Sequence, residues 1–133
     1  MITVKTVVNA PIEKVWECWT KPEHITKWNF ASDDWEAPTA ENDLRVGGKF
    51  TYAMAAKDKS AAFDMAGEYT NVVEGKLIEY IFGGRQAKIV FETVPEGVLV
   101  VESFDPENEN SEEMQRAGWQ AILDNFKKHV ERV

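Results

Sequence analysis

The chain has 133 residues, which suits one domain with a core large enough to fold alone. Hydrophobic residues make up 44% and charged residues 29%, a composition that excludes a disordered chain. The formal net charge of −8 argues against binding to a nucleic-acid backbone or to an anionic membrane surface, because both require clustered basic side chains. We therefore expect a single globular domain over residues 1–133.

The N-terminus and the lack of a long apolar run point to the cytoplasm. The first residues lack the basic and apolar regions of a signal peptide, and no apolar run approaches the ~20 residues of a membrane span. Cys18 is the only cysteine, so it cannot form an intramolecular disulfide. It falls in the apolar pattern of a helix, where a buried packing role is expected. We predict a cytoplasmic protein without membrane insertion.

The first third of the chain predicts a strand, two helices and a long loop. Ile2–Val8 is rich in the β-branched residues that are typical of a strand. Asn9 is the expected N-cap of a helix that ends near residue 20, and Glu23–Trp28 predicts a second, short helix. Asn29–Asp43 has no clear periodicity, so we expect a long and partly packed loop there.

The rest of the chain predicts about five further strands and a long helix. The strands begin after Gly47-Gly48 and are separated by short turns, which is typical of an antiparallel meander. Ser111 is the expected N-cap of the closing helix, with acidic residues in the first turn and basic residues towards the end. Apolar residues recur there at three- and four-residue steps from Trp119 to Val130, forming one broad stripe.

These elements predict how the chain is arranged in space. A long antiparallel sheet twists and curls, so its concave side needs a cover, and the C-terminal helix is the only element long enough to provide it. We therefore predict an α+β fold in which a curved antiparallel sheet of about six strands wraps around the C-terminal helix, with two short helices after the first strand. The space between them is expected to be a cavity of roughly 300 Å³ or more, as in small-molecule sites generally.

Six groups of residue strings, spread over essentially the whole chain, carry a family resemblance. They are Asn9-Ala10-Pro11 with Val15-Trp16, the segment Trp28–Trp35, Asn42–Arg45 with Gly47–Phe50, Gly67-x-Tyr69, Phe104–Glu107, and Met114–Leu123. In this order they resemble the activator of heat-shock-protein-ninety ATPase homologue family of the SRPBCC or START-like superfamily. The resemblance implies the helix-grip fold and a cavity that the superfamily uses for lipids, sterols and other apolar molecules.

Three positions depart from the pattern of bacterial relatives in that family. Glu36 stands where histidine is common, and Ala53 and Ala55 flank Met54 where a basic and an acidic residue are common. Polar chemistry that relies on those side chains is therefore not predicted for this chain.

The sequence predicts no metal site, no catalytic residue and no cofactor. His24 and His129 are the only histidines, and they lie far apart in the chain without a paired cysteine or histidine at ligand spacing. We expect His24 to be an ordinary half-exposed residue and His129 to be a favourable cation near a helix C-terminus. The serines do not stand in the turn pattern of a nucleophile.

Glu102 is the polar residue with a clear functional alternative. It shares one face of the last strand with Val98 and Val100, whereas Leu99 and Val101 share the other face. The two faces are nearly equal in apolar content, so alternation alone does not decide which one points inward. If the face of Glu102 points inward, burial would raise its pKa, and the carboxyl group could act as a ligand anchor or an acid–base group.

Aromatic and methionine side chains dominate the expected wall of the cavity, although the same residues could fill an ordinary core. Tyrosine supplies a polar handle, and methionine adapts to variable contents. The segment Ser32–Asp34 could form a polar rim or a well-capped loop. The candidate ligand-binding residues are Trp28, Trp35, Phe50, Tyr52, Met54, Phe63, Met65, Tyr80, Phe91, Glu102, Trp119, Ile122, Leu123 and Phe126.

Three functions are compatible with these predictions. We favour binding of a small apolar or amphipathic molecule without chemistry, because an aromatic-rich concave face lies under an amphipathic helix and no catalytic constellation is visible. The alternatives are a co-chaperone-like module that stimulates a heat-shock ATPase, as the resemblance implies, and a cyclase- or hydrolase-like enzyme that uses Glu102. The expected partner is a small apolar molecule, or a chaperone, and the protein is expected to be a monomer or a weak homodimer.

Overall fold

The structure, a computed structural model, describes all residues from Met1 to Val133 as one antiparallel sheet and three helices. The strands are β1 (Ile2–Val8), β2 (Trp35–Glu36), β3 (Ala40–Asn42), β4 (Lys49–Ala56), β5 (Ala62–Val73), β6 (Leu77–Phe82), β7 (Arg85–Val94) and β8 (Gly97–Phe104). The helices are α1 (Ile12–Thr20), α2 (Pro22–Ile25) and α3 (Glu112–Arg132). No helix combines the length and the apolarity that crossing a bilayer requires.

The sheet is a curled meander in the order β1-β8-β7-β6-β5-β4-β2, with β3 also paired to β4. All pairings are antiparallel, and β1 joins the last strand of the meander. The predicted α+β helix-grip arrangement is therefore confirmed. The sheet has eight strands because β2 and β3 lie within the segment 29–43, which the sequence predicted to be a loop. Both strands are short and exist through their pairing with β4.

The long helix α3 begins and packs as its sequence predicted. The hydroxyl of Ser111 accepts a hydrogen bond from the backbone N–H of Met114 at 3.1 Å, which confirms the N-cap. The apolar stripe places Leu123, Phe126 and Val130 entirely out of solvent against the concave face of the sheet. Burial of side chains of this size contributes about 1.5–3 kcal/mol each, so this stripe holds the helix on the sheet.

Polar side chains of α3 also cover the edge of the sheet at β1. Lys127 donates a hydrogen bond from Nζ to the carbonyl oxygen of Val7 at 2.7 Å, and Gln120 donates from Nε2 to that of Lys5 at 3.1 Å. These contacts satisfy carbonyl groups that an uncovered edge strand would offer to another chain. The helix therefore lies along β1 rather than over the middle of the sheet.

Two local predictions at the N-terminal helices are wrong. Pro11, not Asn9, occupies the N-cap of α1, and no side chain caps this helix. The backbone N–H of Asn9 instead donates to the carboxylate of Glu131 at 2.8 Å, so a tertiary contact replaces the local cap. The second helix is α2, Pro22–Ile25, and the following residues form turns rather than helix as far as Trp28.

Two glycines in the fold differ in the space that is available for a side chain. A Cβ atom at Gly67 would lie 2.6 Å from the ring of Phe50, its cross-strand partner, and 2.8 Å from the carbonyl oxygen of Ile81. The missing side chain thus gives the Phe50 ring its place on the inner face of the sheet. A Cβ atom at Gly118 in α3 would meet open space.

We predict that Gly118→Ala stabilises the protein and that Gly67→Ala destabilises it. Alanine at position 118 removes the entropic cost of a mid-helix glycine, so the free energy of unfolding should rise by roughly 0.5–1 kcal/mol. Alanine at position 67 must displace the ring of Phe50, so the free energy of unfolding should fall by roughly 1–3 kcal/mol. Urea unfolding followed by tryptophan fluorescence measures both changes, and shifts of the same sign would contradict the packing described.

Candidate functional site

A small cavity lies between the concave face of the sheet and the middle of α3. Its volume is about 60 Å³, which is smaller than the roughly 300 Å³ predicted from the sequence, because aromatic side chains from α1 and the turn after α2 fill much of the space. Eight of the predicted residues line it: Trp28, Phe50, Tyr52, Met65, Tyr80, Glu102, Trp119 and Ile122. The other four lining residues are Trp19, Asn29, Tyr69 and Ile78, which were not among the predicted ligand-binding residues.

An open groove adjoins the cavity on the side of α3 that faces β4 and β5. We call it the outer groove; it has a volume of about 500 Å³ and shares Met65, Trp119 and Ile122 with the cavity wall. Two further predicted residues, Met54 and Phe63, lie in it, and Phe63 is 54% exposed. A neighbouring recess of about 290 Å³ extends the groove under Trp35, which packs against Phe63 with ring centroids 5.9 Å apart.

Three predicted residues lie in the packed core and line neither the cavity nor the outer groove. They are Phe91, Leu123 and Phe126, and all three are buried. Phe126 contacts Trp19 and Trp28 edge-on, each with ring centroids 4.8 Å apart. These side chains therefore lie behind the residues that line the cavity. The spacing of apolar residues in the sequence does not distinguish the two positions.

The helix side of the wall is fixed by aromatic stacking. The indole of Trp119 lies parallel to the ring of Phe104, with centroids 3.7 Å apart and planes inclined by 10°. On the sheet side, Phe50 stacks on Tyr52 at 4.8 Å and meets Tyr80 edge-on at 4.9 Å. Such pairs add to simple burial, so these rings hold their positions around the space.

The structure decides the orientation that alternation left open for Glu102. The face of β8 with Val98, Val100 and Glu102 is buried, and Glu102 itself is 6% exposed on the cavity wall. Burial raises the pKa of this carboxyl group from 4.5 to about 8. No hydrogen bond or ion pair within the protein offsets this cost, so the protonated form of the carboxyl group is favoured.

Asn29 is a second buried polar group without a partner on the same wall. Its amide nitrogen Nδ2 is inaccessible to solvent and donates no hydrogen bond within the protein. Buried donors are nearly always paired in folded proteins, so an orphaned one calls for an explanation. The sequence offered little signal for this residue, because its side chain is directed inward only by the turns that follow α2.

The tyrosines at the sheet side of the cavity are, by contrast, linked into a hydrogen-bond chain. The hydroxyl of Tyr69 donates to the side-chain oxygen of Asn42 at 2.5 Å, and the amide nitrogen of Asn42 donates to the carbonyl oxygen of Thr20 at 2.7 Å. Burial raises the pKa of Tyr69 to about 12 and that of Tyr52 well above its ordinary value. Both phenols are therefore neutral groups that orient the wall. The alternation of side chains along β5 from Phe63 onwards could have identified Tyr69.

The fold also brings together three residues that the sequence treated as unrelated. His24 Nδ1 and His129 Nε2 are 2.9 Å apart, and the sulfur of Cys18 completes a group whose ligand atoms all lie within 4.8 Å of one another. His129 is 8% exposed, and burial, followed by the nearby His24, lowers its pKa. The prediction that His129 is a favourable helix-terminal cation is therefore wrong.

We predict that Glu102→Gln stabilises the protein increasingly as the pH rises. The folded protein retains the Glu102 proton up to a pH of about 8, whereas the unfolded chain releases it near 4.5. Stability from this group is therefore fully present below about pH 4.5 and is lost as the pH rises towards 8. The margin of the variant over the wild type in free energy of unfolding should grow by up to about 1.4 kcal/mol per pH unit.

Urea unfolding of both proteins between about pH 5 and pH 8 measures that margin. Glu92→Gln, at an exposed position of the neighbouring β7, serves as the control and should follow the wild type throughout. A margin that stays constant over this range would contradict the burial of an unpaired carboxyl group.

Known structures share this architecture along nearly the whole chain. An AHSA1-like protein from Aeromonas hydrophila is 42% identical with a TM-score of 0.93, and the match covers 98% of this chain and 92% of that one. A protein from Cytophaga hutchinsonii is 52% identical with a TM-score of 0.85 at the same coverage of 98% and 92%. No curated protein matches the sequence.

A family model supports the same grouping at the level of sequence. The model described as "Activator of Hsp90 ATPase homolog 1-like protein" matches residues 9–131. This range includes α1, every strand from β2 to β8 and nearly all of α3. The chain therefore belongs to the activator of Hsp90 ATPase homolog 1-like family.

Proposed function

We propose that this protein binds a small amphipathic molecule between the sheet and α3. The observation that carries the proposal is the pair of buried polar groups, Glu102 and the amide nitrogen of Asn29, that lack protein partners on an otherwise aromatic wall. Each unpaired buried group costs about 1–3 kcal/mol. A ligand that hydrogen-bonds to both would remove this cost, which favours binding.

The geometry also indicates how such a ligand would lie. The cavity of about 60 Å³ accommodates only a small polar end, whereas the outer groove of about 500 Å³ has the size of ordinary small-molecule sites. The apolar body would therefore rest in the groove against Met65, Trp119 and Ile122. Its polar end would offer an acceptor to Asn29 and a hydroxyl, amide or amine to Glu102.

We predict that the fluorescent probe 1-naphthylamine binds this site. The probe has an apolar aromatic body and a terminal amino group that donates hydrogen bonds, and its emission shifts to shorter wavelengths when it leaves water. Ile122→Phe fills the space that the cavity and the groove share, so it should weaken binding at least about tenfold, or ~1.4 kcal/mol. Ala117→Phe places the same ring on the exposed face of α3 and should leave the dissociation constant unchanged.

A matched ligand tests the polar end separately. 1-Methylnaphthalene carries a methyl group in place of the amino group, so Glu102→Leu should weaken binding of 1-naphthylamine by about fivefold relative to 1-methylnaphthalene, the loss expected for one hydrogen bond. Equal binding to Ile122→Phe and Ala117→Phe would place the probe outside the proposed site. Equal effects of Glu102→Leu on both ligands would remove Glu102 from recognition.

A second candidate function is proton transfer by Glu102. The observation that favours it is a carboxyl pKa of about 8 inside a largely apolar cavity, because acid–base groups work best with a pKa near the operating pH. Incubation of a cell metabolite extract with wild type and with Glu102→Gln, followed by mass spectrometry, tests this function. A product formed by the wild type alone would support it, and identical metabolite profiles would oppose it.

A further inference from the structure

We propose that Cys18, His24 and His129 form a binding site for a zinc-type transition-metal ion at the junction of α1, α2 and α3. The chain contains one cysteine and two histidines in 133 residues. The fold gathers all three into one cluster, with their ligand atoms within 4.8 Å of one another. A thiolate with two imidazoles is a ligand set that suits zinc and its substitute cobalt.

The distances in the cluster are close to those that a metal ion requires. Zinc lies about 2.3 Å from sulfur and about 2.0–2.1 Å from nitrogen, so the ligand atoms of a tetrahedral site stand roughly 3.3–3.6 Å apart. The two ring nitrogens, at 2.9 Å, would separate slightly, and the sulfur would move inward from at most 4.8 Å. Side-chain rotations of this size do not require the helices to move.

The three ligands stand on elements that the fold already holds in place. Cys18 is 1% exposed near the end of α1, where its carbonyl oxygen accepts a hydrogen bond from the indole of Trp28 at 2.9 Å. His24 lies on α2, which Pro22 starts at its first position. His129 lies in the last turn of α3, where it is 8% exposed. A site on three fixed elements needs little ordering when the ion binds.

Binding can be written as a balanced exchange of protons. The two facing nitrogens share one hydrogen bond, so one imidazole carries its proton on the nitrogen that faces the other ring. On binding, that proton moves to the outer nitrogen of the same ring, which frees both inner nitrogens to ligate. The thiol of Cys18 releases its proton to solvent as the sulfur–metal bond forms. One proton is therefore released for each ion bound.

The neighbouring charges and exposure set the remaining properties of the site. Besides burial and His24, the positive charges of Arg132, Lys27 and Lys14 lower the pKa of His129. Burial and the negative charge of Glu17 raise the pKa of the Cys18 thiol, whereas Lys14 lowers it. The ligand set contains no oxygen, so hard cations such as magnesium or calcium are disfavoured. His24 is half-exposed and provides the side from which an ion can enter, with the fourth position open to water.

An ion at this junction would connect the C-terminal end of α3 to α1 and α2. These connections span most of the chain, since His24 and His129 are 105 positions apart. Two residues that line the cavity are close to Cys18. Trp19 follows it in the chain, and the indole of Trp28 donates a hydrogen bond to its carbonyl oxygen. The metal site is distinct from the cavity, and its test does not depend on a ligand there.

Titration of the reduced, chelator-treated protein with Co²⁺ tests the proposal directly. We expect one equivalent to produce thiolate-to-cobalt charge-transfer absorption in the near ultraviolet and the intense visible bands of a tetrahedral ion, with release of one proton. Zn²⁺ should displace the cobalt and raise the melting temperature by about 5–10 °C at one hundred times its dissociation constant.

Variants identify the ligands and exclude adventitious binding by the acidic surface. Cys18→Ala should abolish the charge-transfer band, and His24→Asn, at a half-exposed position that should not disturb folding, should weaken cobalt binding at least about 100-fold. Glu113→Gln, at the far end of α3, should bind as the wild type does. Absence of the thiolate band in the wild type, or wild-type affinity in His24→Asn, would overturn the proposal.

Discussion

The structure depends on the packing of a single helix against a sheet that is too wide for it to cover. A helix with its side chains is about 10–12 Å across, whereas the sheet curls through seven hydrogen-bonded strands from β1 to β2. The apolar stripe of Leu123, Phe126 and Val130 holds α3 beside β1. Polar side chains of the same helix cover the edge of the sheet at β1. The side towards β4 and β5 is left open, and the cavity and the outer groove are the space that remains.

Aromatic side chains then determine how much of that space stays empty. Trp19 and Trp28 pack against Phe126 and reduce the interior to a cavity of about 60 Å³. Most polar groups nearby are satisfied, as in the chain from Tyr69 through Asn42 to the end of α1. Glu102 and Asn29 are the exceptions, and because they face the same cavity their costs coincide at one place. This concentration is the observation on which the proposed binding of an amphipathic molecule rests.

The junction of the three helices closes the other end of the same core. There the indole of Trp28 hydrogen-bonds to the backbone of α1, and His24 meets His129 across α2 and α3. The residues of this junction and those of the cavity wall are thus neighbours in α1 and in the turn after α2. Packing at the junction of the helices therefore helps to position the side chains of the cavity wall.

Elements with local signals could be predicted from the sequence without the structure. Strand alternation, the Ser111 N-cap and the apolar stripe of the last helix follow from contacts within a few residues, and together they predicted the α+β helix-grip arrangement. They also selected most of the side chains that line the cavity. The short strands β2 and β3 escaped notice because they exist only through pairing with β4.

The features that matter for chemistry depend on contacts between distant parts of the chain. Both faces of β8 are almost equally apolar, so only the position of α3 settled that Glu102 points inward and has a pKa of about 8. The size of the cavity depended on how Trp19 and Trp28 pack, which periodicity does not encode. His24 and His129 meet across 105 positions because the sheet returns the chain to its first helices, a contact that no local pattern specifies.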